Sequence, residues 1–273
     1  QPDTLLSLES LNVRVQAWPL IKGKVEVDEV TLNRVAVNSA NMIEGMQIQG
    51  VLGHFFLQSH GVDLSNEIAV INQAELSDTH VQLLMNDTTT TPKDTTASAP
   101  INWKVDLHQL KLKNVSFSMQ LPADSMRMAA HIGEAAIDDA RADLKNQFYD
   151  LKKFLLSGTS ASYDTGAAKP VDGFDASHIA VRDVRIGLDS LLYKGRDMNA
   201  IIREFTMNER SGLSITSLTG RAYSNDSIIS IPGLKLQTPH SEIDLSANTY
   251  WELVNIPTTG HLSANLNAYI GKE

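Results

Sequence analysis

The amino-acid sequence predicts a mainly β protein: a long sheet of repeated short strands, with one apolar face and few or no long helices. Two observations carry this prediction, the alternation of apolar and polar residues along most of the chain and the return of one alternating pattern. Alternation is clearest over Val105–Leu121, where it slips by one residue at His108–Gln109 and again at Lys113–Asn114. A strand with one buried and one wet face requires alternation, and an extra polar residue marks a bulge or a tight corner.

An eight-residue pattern recurs along the chain. Val30–Val37 aligns without gaps to Leu110–Phe117, Ala74–Val81 is a third copy, and Val184–Leu191 is a weaker fourth. The copies begin 44, 36 and 74 residues apart, and such irregular spacing argues against a propeller with blades of fixed size. It favours a sheet that grows by successive hairpins of variable length.

One segment departs from the alternation and divides the chain. Residues 86–100 are rich in Thr and Pro and lack large apolar side chains, so they are predicted to form a flexible loop. We expect β repeats over 1–86, a flexible loop over 87–100 and a continuing sheet over 101–273. One continuous architecture is favoured because the same alternation resumes after the loop. Replacing Asn86–Pro100 by a short Gly/Ser linker is expected to leave the fold intact.

Two stretches carry helical signals as well. Within Ala140–Leu156, apolar residues at spacings of four, three and four form the stripe of an amphipathic helix. Strand-like alternation runs into and out of this stretch, so a strand is favoured there over a helix. Thr4–Leu11 also places three leucines on one helical face, and a helix is a second hypothesis for that opening segment.

Composition and motifs exclude several classes of function. The net charge of −9 argues against a nucleic-acid partner, which needs clustered Lys and Arg. The absence of Cys excludes disulfides and Cys-based metal sites. The eight histidines lack the spacing of metal ligands, so no metal is predicted and they are expected in solvated loops or at strand edges.

Catalytic motifs are absent too. No nucleophile or phosphate-binding motif occurs in the sequence. The adjacent carboxylates Asp138 and Asp139 would point to opposite faces of a strand and are expected at a solvated corner. We therefore predict neither catalytic residues nor a cofactor, and we expect that the chain is not an enzyme.

The apolar side of the clearest strand is the candidate functional surface. We expect Lys111 and Lys113 to point outward and seven apolar side chains to point inward: Val105, Leu107, Leu110, Leu112, Val115, Phe117 and Met119. An apolar face on an open sheet must be covered by protein or occupied by an apolar ligand. The alternative is a β-sandwich whose apolar face packs on itself, serving as a non-catalytic scaffold or a surface adhesin-like binding protein.

Two stretches support a resemblance to a known family. Phe205–Gly220 contains a Glu-x-Ser-Gly-Leu turn between strands, and Ile228–Ile243 contains a Thr-Pro-x-Ser step. Together with the repeated alternating strands, they resemble the AsmA-like superfamily, specifically the TamB (translocation and assembly module) family of the Bacteroides type.

The resemblance implies a long, curled, open β-sheet with an apolar groove. The implied role is to carry phospholipid between the inner and outer membranes and to support outer-membrane protein assembly. The implied ligand is the phospholipid acyl chain, held by the seven inward residues. The implied protein partner is an outer-membrane barrel-assembly protein, reached through parts beyond this chain.

The resemblance also implies a location. The full-length protein would be periplasmic and anchored in the inner membrane of a Gram-negative bacterium. Residue 1 is Gln, and no charged and apolar leader pattern follows it. We therefore expect the chain to be an N-terminal portion of the periplasmic part of a longer protein.

Overall fold

A single open sheet dominates the computed structural model, which describes residues 5–16, 27–39, 45–63, 66–85, 102–166, 168–255 and 261–271. The mainly β fold class is therefore confirmed. A sandwich needs two packed sheets, whereas the strands of the described residues belong to one. The loop expected over 87–100 lies outside the described residues.

Fourteen strands make up the described sheet. They are β1 (Leu6–Val15), β2 (Val27–Asn38), β3 (Met46–Asp63), β4 (Ile68–Met85), β5 (Lys104–Leu121), β6 (Met126–Asp143), β7 (Phe148–Asp164), β8 (His178–Lys194), β9 (Asp197–Glu209), β10 (Ser214–Ile215), β11 (Ser217–Ser224), β12 (Ile228–Gln237), β13 (Ser241–Tyr250) and β14 (Leu262–Ile270). A 3-10 turn at Pro122–Asp124 joins β5 to β6, and a one-turn helix, α1 (Trp251–Asn255), follows β13.

The strands are longer than the short strands that the sequence indicated. β3 to β8 each have 17 or 18 residues, whereas β11 to β14 have 8 to 10. The reason is that the slips in the alternation lie inside continuous strands instead of ending them. The sheet is therefore wide in its middle and narrow towards β14.

Strand order follows the chain, and all but one of the neighbouring pairs are antiparallel. The order runs from β1 to β9 and then from β11 to β14, with β10 paired to β9. The exception is β4 with β5, which are parallel, so strands on both sides of residues 86–101 belong to one sheet. Parallel neighbours need a connection of a dozen or more residues. For that reason a short linker is no longer expected to preserve the fold.

Both stretches with helical signals are strands. Within Ala140–Leu156, β6 ends at Asp143 and β7 begins at Phe148 after a four-residue turn, which confirms the strand. The helix hypothesis for Thr4–Leu11 is wrong over the described residues, because residues 6–11 lie in β1. The leucines there pair with apolar residues of β2, and such tertiary pairing outweighs local helix propensity.

A crease crosses the sheet where the alternation slips. Asn114 lies inside β5 with φ of 53°, and Asp78 of β4 and Arg34 of β2 have φ of 50° and 47°. These residues hold the fifth position in the three gapless copies of the eight-residue pattern. The pairing of β5 with β4 and with β6 keeps the same register on both sides of Asn114, so β5 holds no extra residue there. The slip predicted at Lys113–Asn114 is therefore a tight corner in register with the neighbouring strands, and not a bulge.

The fourth copy of the pattern is misplaced in the prediction from sequence. Asp183 of β8 has φ of 54°, which makes Ile179–Ile186 the copy with a left-handed fifth residue. The predicted copy, Val184–Leu191, begins five residues too late. Its apolar spacing matched the pattern by chance, because β8 alternates on both sides of the bulge.

Polar side chains stabilise the crease. Asn and Asp adopt the left-handed conformation more readily than other side chains, which explains their presence at the slips. The Asn114 amide donates a hydrogen bond to Asp78 Oδ1 at 2.7 Å and joins the corners of two neighbouring strands. The Thr79 hydroxyl donates to the carbonyl of Ser77 at 3.0 Å, and Arg34 forms an ion pair with Glu9 of β1.

Replacing Asn114 by valine is expected to lower the free energy of unfolding by about 2–3 kcal/mol. The left-handed conformation costs a side chain with a Cβ ~1–2 kcal/mol, and the lost hydrogen bond to Asp78 adds ~1 kcal/mol. Asn114→Gly keeps the conformation accessible, so it should lose only the hydrogen-bond part. Urea unfolding of both variants measures the difference, and equal losses would show that the backbone at 114 is unstrained.

Candidate functional site

One row of apolar side chains crosses the whole described sheet. Residues that pair across neighbouring strands place their side chains on the same face. Following these pairs from β1 to β14 gives thirteen residues that include no polar side chain. We call them the central row: Val13, Val30, Leu57, Ala74, Leu110, Ile137, Phe154, Leu188, Ile202, Gly220, Leu234, Leu245 and Leu266.

A second apolar row runs beside the central row over the first nine strands. Its members lie two residues away along β5, and therefore on the same face. They are Leu11, Leu32, Phe55, Leu76, Leu112, Ala135, Leu156, Ile186 and Phe205. Together the two rows form a broad apolar surface on one face of the sheet. We call it the apolar strip.

The opposite face carries one row of polar side chains. Lys113, next to Leu112 in β5, belongs to a row that is polar in every member: Ser10, Asn33, His54, Ser77, Lys113, Glu134 and Ser157. Side chains of this row bond to one another, since the Asn33 amide donates to Ser10 Oγ at 2.9 Å and His54 Nδ1 lies 2.7 Å from Asn33 Oδ1. The row of Lys111 on the same face is mixed, because it also contains Phe56, Ala136 and Leu155.

The seven predicted groove residues all pair with neighbours on both sides. Leu110 belongs to the central row and Leu112 to the second row. The other five have apolar partners on β4 and β6, except that Val115 has a threonine on β4: Val105, Leu107, Val115, Phe117 and Met119. Six of the seven are half-buried, and Phe117 is 40% exposed.

The two lysines expected outward are exposed. Lys111 Nζ lies 3.5 Å from Glu75 Oε1 in an ion pair between β5 and β4. Lys113 is exposed within the polar row. On β5, between the slips, the structure therefore places charge on one face and apolar side chains on the other.

Part of the apolar strip could not be located from sequence. Each strand carries its own alternation, but the register between strands decides which residues line up. Val13 and Leu266 are 253 residues apart in the chain (266 − 13) and belong to the same row. The signal available in the sequence was that every second residue of a strand is apolar. This alternation shows which side chains of one strand share a face, but it does not show which residues of neighbouring strands line up.

The expectation of solvated histidines is wrong for His178. This side chain begins β8 and is only 6% exposed. Its Nδ1 lies 2.9 Å from Asp175 Oδ2, and Arg210 Nη2 lies 3.9 Å from the same oxygen. A hydrogen bond from the Val171 N–H, with others from Ser177 and His178, lowers the pKa of Asp175. The cluster lies at the start of β8, beside the loop between β7 and β8.

The carboxylate of Glu209 lies close by, at the end of β9. It accepts hydrogen bonds from the N–H groups of Ser211 at 2.6 Å and Ala180 at 3.3 Å, and the residue is 7% exposed. Hydrogen bonds from the side chain and backbone of Ser211, followed by those from the Ala180 and Arg210 backbone, lower the pKa of Glu209. The carboxylate thus bonds to the Ala180 N–H just beyond the last residue pair of β8 and β9.

This arrangement predicts acid sensitivity. Because the folded-state pKa of Glu209 lies below its ordinary value of 4.5, the ionised carboxylate contributes stability above that pH and loses it as the pH falls through the folded pKa. Glu209→Ala leaves buried donors unpaired and should cost about 1–3 kcal/mol at pH 7. When the pH is lowered from 7 to 3, the variant should lose less thermal stability than the wild type does. Equal losses of stability in the two proteins would contradict this prediction.

Over the described ranges, no group of three or more His, Asp or Glu residues is arranged to hold a metal ion. Among the helices of these residues, none combines the length and the apolar character needed to cross a bilayer. The apolar strip is therefore the candidate functional site of the described residues.

No protein-family model matches this chain, and no curated protein matches it.

Proposed function

We propose that this chain is a segment of an AsmA/TamB-like bridge in the periplasm, whose apolar groove carries phospholipid between the inner and outer membranes. In this role the full-length protein is anchored in the inner membrane. It supports outer-membrane protein assembly together with an outer-membrane barrel-assembly protein. The acyl chain is the ligand, and the chemistry needs neither a cofactor nor catalysis.

The single observation that carries the proposal is the central row. Thirteen strands at a spacing of ~4.8 Å give an apolar track about 58 Å long, without a polar side chain in any of the thirteen. A ligand lying on this track makes no hydrogen bonds to side chains. Acyl chains meet that condition, and a track of this length holds more than one of them end to end.

The exposure of the apolar surface supports the same role. Among the described residues the almost fully buried apolar side chains are Ala69, Ala135 and Val184, at 6–8% exposure. Leaving apolar surface wet costs roughly 25 cal/mol for each Å². An occupant that covers the strip is therefore favoured.

The absence of cysteine fits the proposed compartment. None of the 273 residues is Cys, and in an oxidising periplasm a stray thiol is a hazard.

Photocrosslinking tests the proposal directly. A photoreactive amino acid at central-row positions such as Leu110, Phe154 and Leu188 should give adducts with the mass of phospholipid when the purified protein is irradiated with vesicles. The same residue at Lys113, on the polar face of β5, is the matched control and should give none. A well-folded protein without lipid adducts at any central-row position would overturn the proposal and leave the scaffold alternative.

Charge on the strip should reduce lipid capture. Leu112→Asp and Phe117→Asp each place a carboxylate that must be desolvated when an acyl chain covers it, and we expect capture of a fluorescent phospholipid to fall about tenfold. Lys113→Asp puts the same charge on the opposite face and should change capture less than twofold. Unfolding by the two apolar-face substitutions, with no lipid bound by the wild type, would instead indicate a self-packed scaffold.

A further inference from the structure

The strand ends of the sheet form two rims, and over β5 to β9 the two rims differ in charge. The first rim consists of residues 102–104, 143–148 and 194–197, and the second consists of residues 121–127, 164–166, 168–178 and 209–212. The first rim carries four cations and two acids, a net charge of +2, whereas the second carries three cations and five acids, a net charge of −2. We call them the basic rim and the acidic rim. The basic rim is bounded by acids, Glu67 before β5 and Asp226 after β9.

Most cations of the basic rim have no carboxylate partner. The four are Lys104, Lys145, Lys194 and Arg196. Lys145 and Lys194 are exposed, and neither forms an ion pair with any residue that the structure describes. Arg196 Nη1 donates a hydrogen bond to the carbonyl oxygen of Asp226 at 3.2 Å, and its guanidinium carbon lies 5.4 Å from the ring centre of Trp251. Neither contact supplies a carboxylate, so three of the four cations are available to an anion.

The two acids of the basic rim leave its positive charge in place. Asp143 accepts hydrogen bonds from the N–H of Asn146 at 3.0 Å and from its side-chain amide at 2.8 Å. Lys104 Nζ lies 3.7 Å from Asp143 Oδ2, so this carboxylate is occupied by the fourth cation. Asp197 is opposite Lys194 in the register of β8 and β9, but their side chains form no ion pair.

The apolar face reaches the basic rim through aromatic side chains. Val105, of the inward set of β5, shares its face with Tyr149, Tyr193 and Met198 along the register. The two tyrosine rings have their centres 6.0 Å apart, and the side chains are 39% and 37% exposed. Tyrosine favours the boundary between apolar and wet surroundings, as at the headgroup level of a bilayer. Cations, aromatic rings and the apolar face therefore follow one another in the order that a phospholipid requires.

We propose that the basic rim holds the phosphate of the phospholipid headgroup while the acyl chains lie on the apolar face. This inference rests on the proposed lipid-carrying function. A phosphate on the apolar strip would lose its hydration, whereas at the rim it stays wet and meets Lys and Arg, which bind phosphate. Lys194 is the last residue of β8, so its long side chain can reach around the rim.

The dimensions of the sheet agree with this placement. The six residues from Lys104 to Leu110 span about 20 Å along β5. An acyl chain occupies one leaflet, which is about 15 Å of the bilayer's hydrocarbon core. A chain that starts at the basic rim therefore passes Val105 and Leu107 and ends near the central row.

The charge of the basic rim also predicts a preference among phospholipids. Phosphatidylglycerol is anionic, whereas the ammonium group of phosphatidylethanolamine cancels the charge of its phosphate. Cations near a lipid headgroup attract anionic lipids more strongly than neutral ones. We therefore expect phosphatidylglycerol to be captured in preference to phosphatidylethanolamine.

Two double variants test the basic rim. Lys145→Gln with Lys194→Gln removes its two unpaired lysines, and Arg127→Gln with Lys169→Gln removes the same charge from the acidic rim as the matched control. All four side chains are exposed. A photoreactive residue at Leu110 in each protein forms adducts with vesicles of phosphatidylglycerol and phosphatidylethanolamine, and the mass of each adduct identifies the lipid. The first variant should lose phosphatidylglycerol adducts about tenfold and phosphatidylethanolamine adducts less than threefold, whereas the control should change less than twofold.

The outcomes separate this inference from the proposed function. Equal yields in the wild type and both double variants, or equal losses in the two variants, would overturn the basic rim and leave lipid carriage intact. A wild type that gives no adducts would overturn the proposed function and this inference with it. Millimolar inorganic phosphate at constant ionic strength should leave the adducts unchanged. Displacement of the lipid by it would assign the rim to a soluble phosphate and overturn the headgroup site.

Discussion

Replacing Gly53 by alanine is expected to lower the free energy of unfolding by about 3 kcal/mol or more, the upper end of overpacking effects. A Cβ at position 53 would lie 2.7 Å from both the Cβ and the carbonyl oxygen of Asp78, and 3.0 Å from the carbonyl oxygen of Ser77. Two of these atoms are backbone atoms of β4 at the crease. The clash can be relieved only by moving the strand.

Gly233 in β12 provides the matched control. Nothing lies within 4 Å of a Cβ at this position, and its φ is not in the left-handed region. Gly233→Ala is therefore expected to change stability by no more than ~0.5 kcal/mol. Equilibrium unfolding in urea measures both variants. Equal effects at the two glycines would mean that β3 and β4 are not in close contact at the crease.

Gly53 also shows what the sequence could predict about the fold. The slip at Lys113–Asn114 indicated a bulge or a tight corner, and Asn114 forms a tight corner with a left-handed backbone. Alternation is a local property of each strand, so strands and the places where they bend follow from short stretches of sequence. That a glycine of β3 faces Asp78 across the crease depends on pairing between distant segments, which alternation does not encode.

For the candidate site too, only the features that lie within one strand could be predicted from the sequence. The seven apolar residues of β5 and the outward lysines came from one strand's own alternation. The other members of the central row came from the register of twelve pairings, which no local pattern contains. The burial of His178 depends likewise on Asp175 and on the loop before β8. A histidine at a strand start is exposed or covered according to how that loop folds.

The parallel pairing of β4 with β5 was the least predictable feature and has a clear consequence. β4 ends at Met85, and β5 begins at Lys104 opposite Ile68, the first residue of β4. The chain is back beside Glu67 by residue 102, since the Asn102 N–H donates to the Glu67 carboxylate at 2.9 Å. Successive hairpins, which the repeated alternation favoured, would have placed β5 in the opposite direction.

We expect the connection between β4 and β5 to tolerate a change of sequence but not a reduction to hairpin length. Replacing residues 86–101 by a Gly/Ser segment of equal length leaves the entropic cost of closing this connection about the same. The replacement should therefore alter the free energy of unfolding by less than ~1 kcal/mol. A two-residue link serves an antiparallel hairpin, whereas parallel neighbours need a dozen or more residues. The short variant should therefore lose the β4–β5 pairing and unfold in separate transitions.

An engineered disulfide reports this register. Ser77 and Lys113 are paired across β4 and β5, and neighbouring strands are close enough for a disulfide. The chain has no cysteine of its own, so Ser77→Cys with Lys113→Cys can form only the intended bond within one molecule. The bond should form in the wild-type background and with the equal-length linker, but not with the two-residue link. If it formed equally in all three, residues 86–101 would not set the pairing, and the direction of β5 would follow from the apolar rows alone.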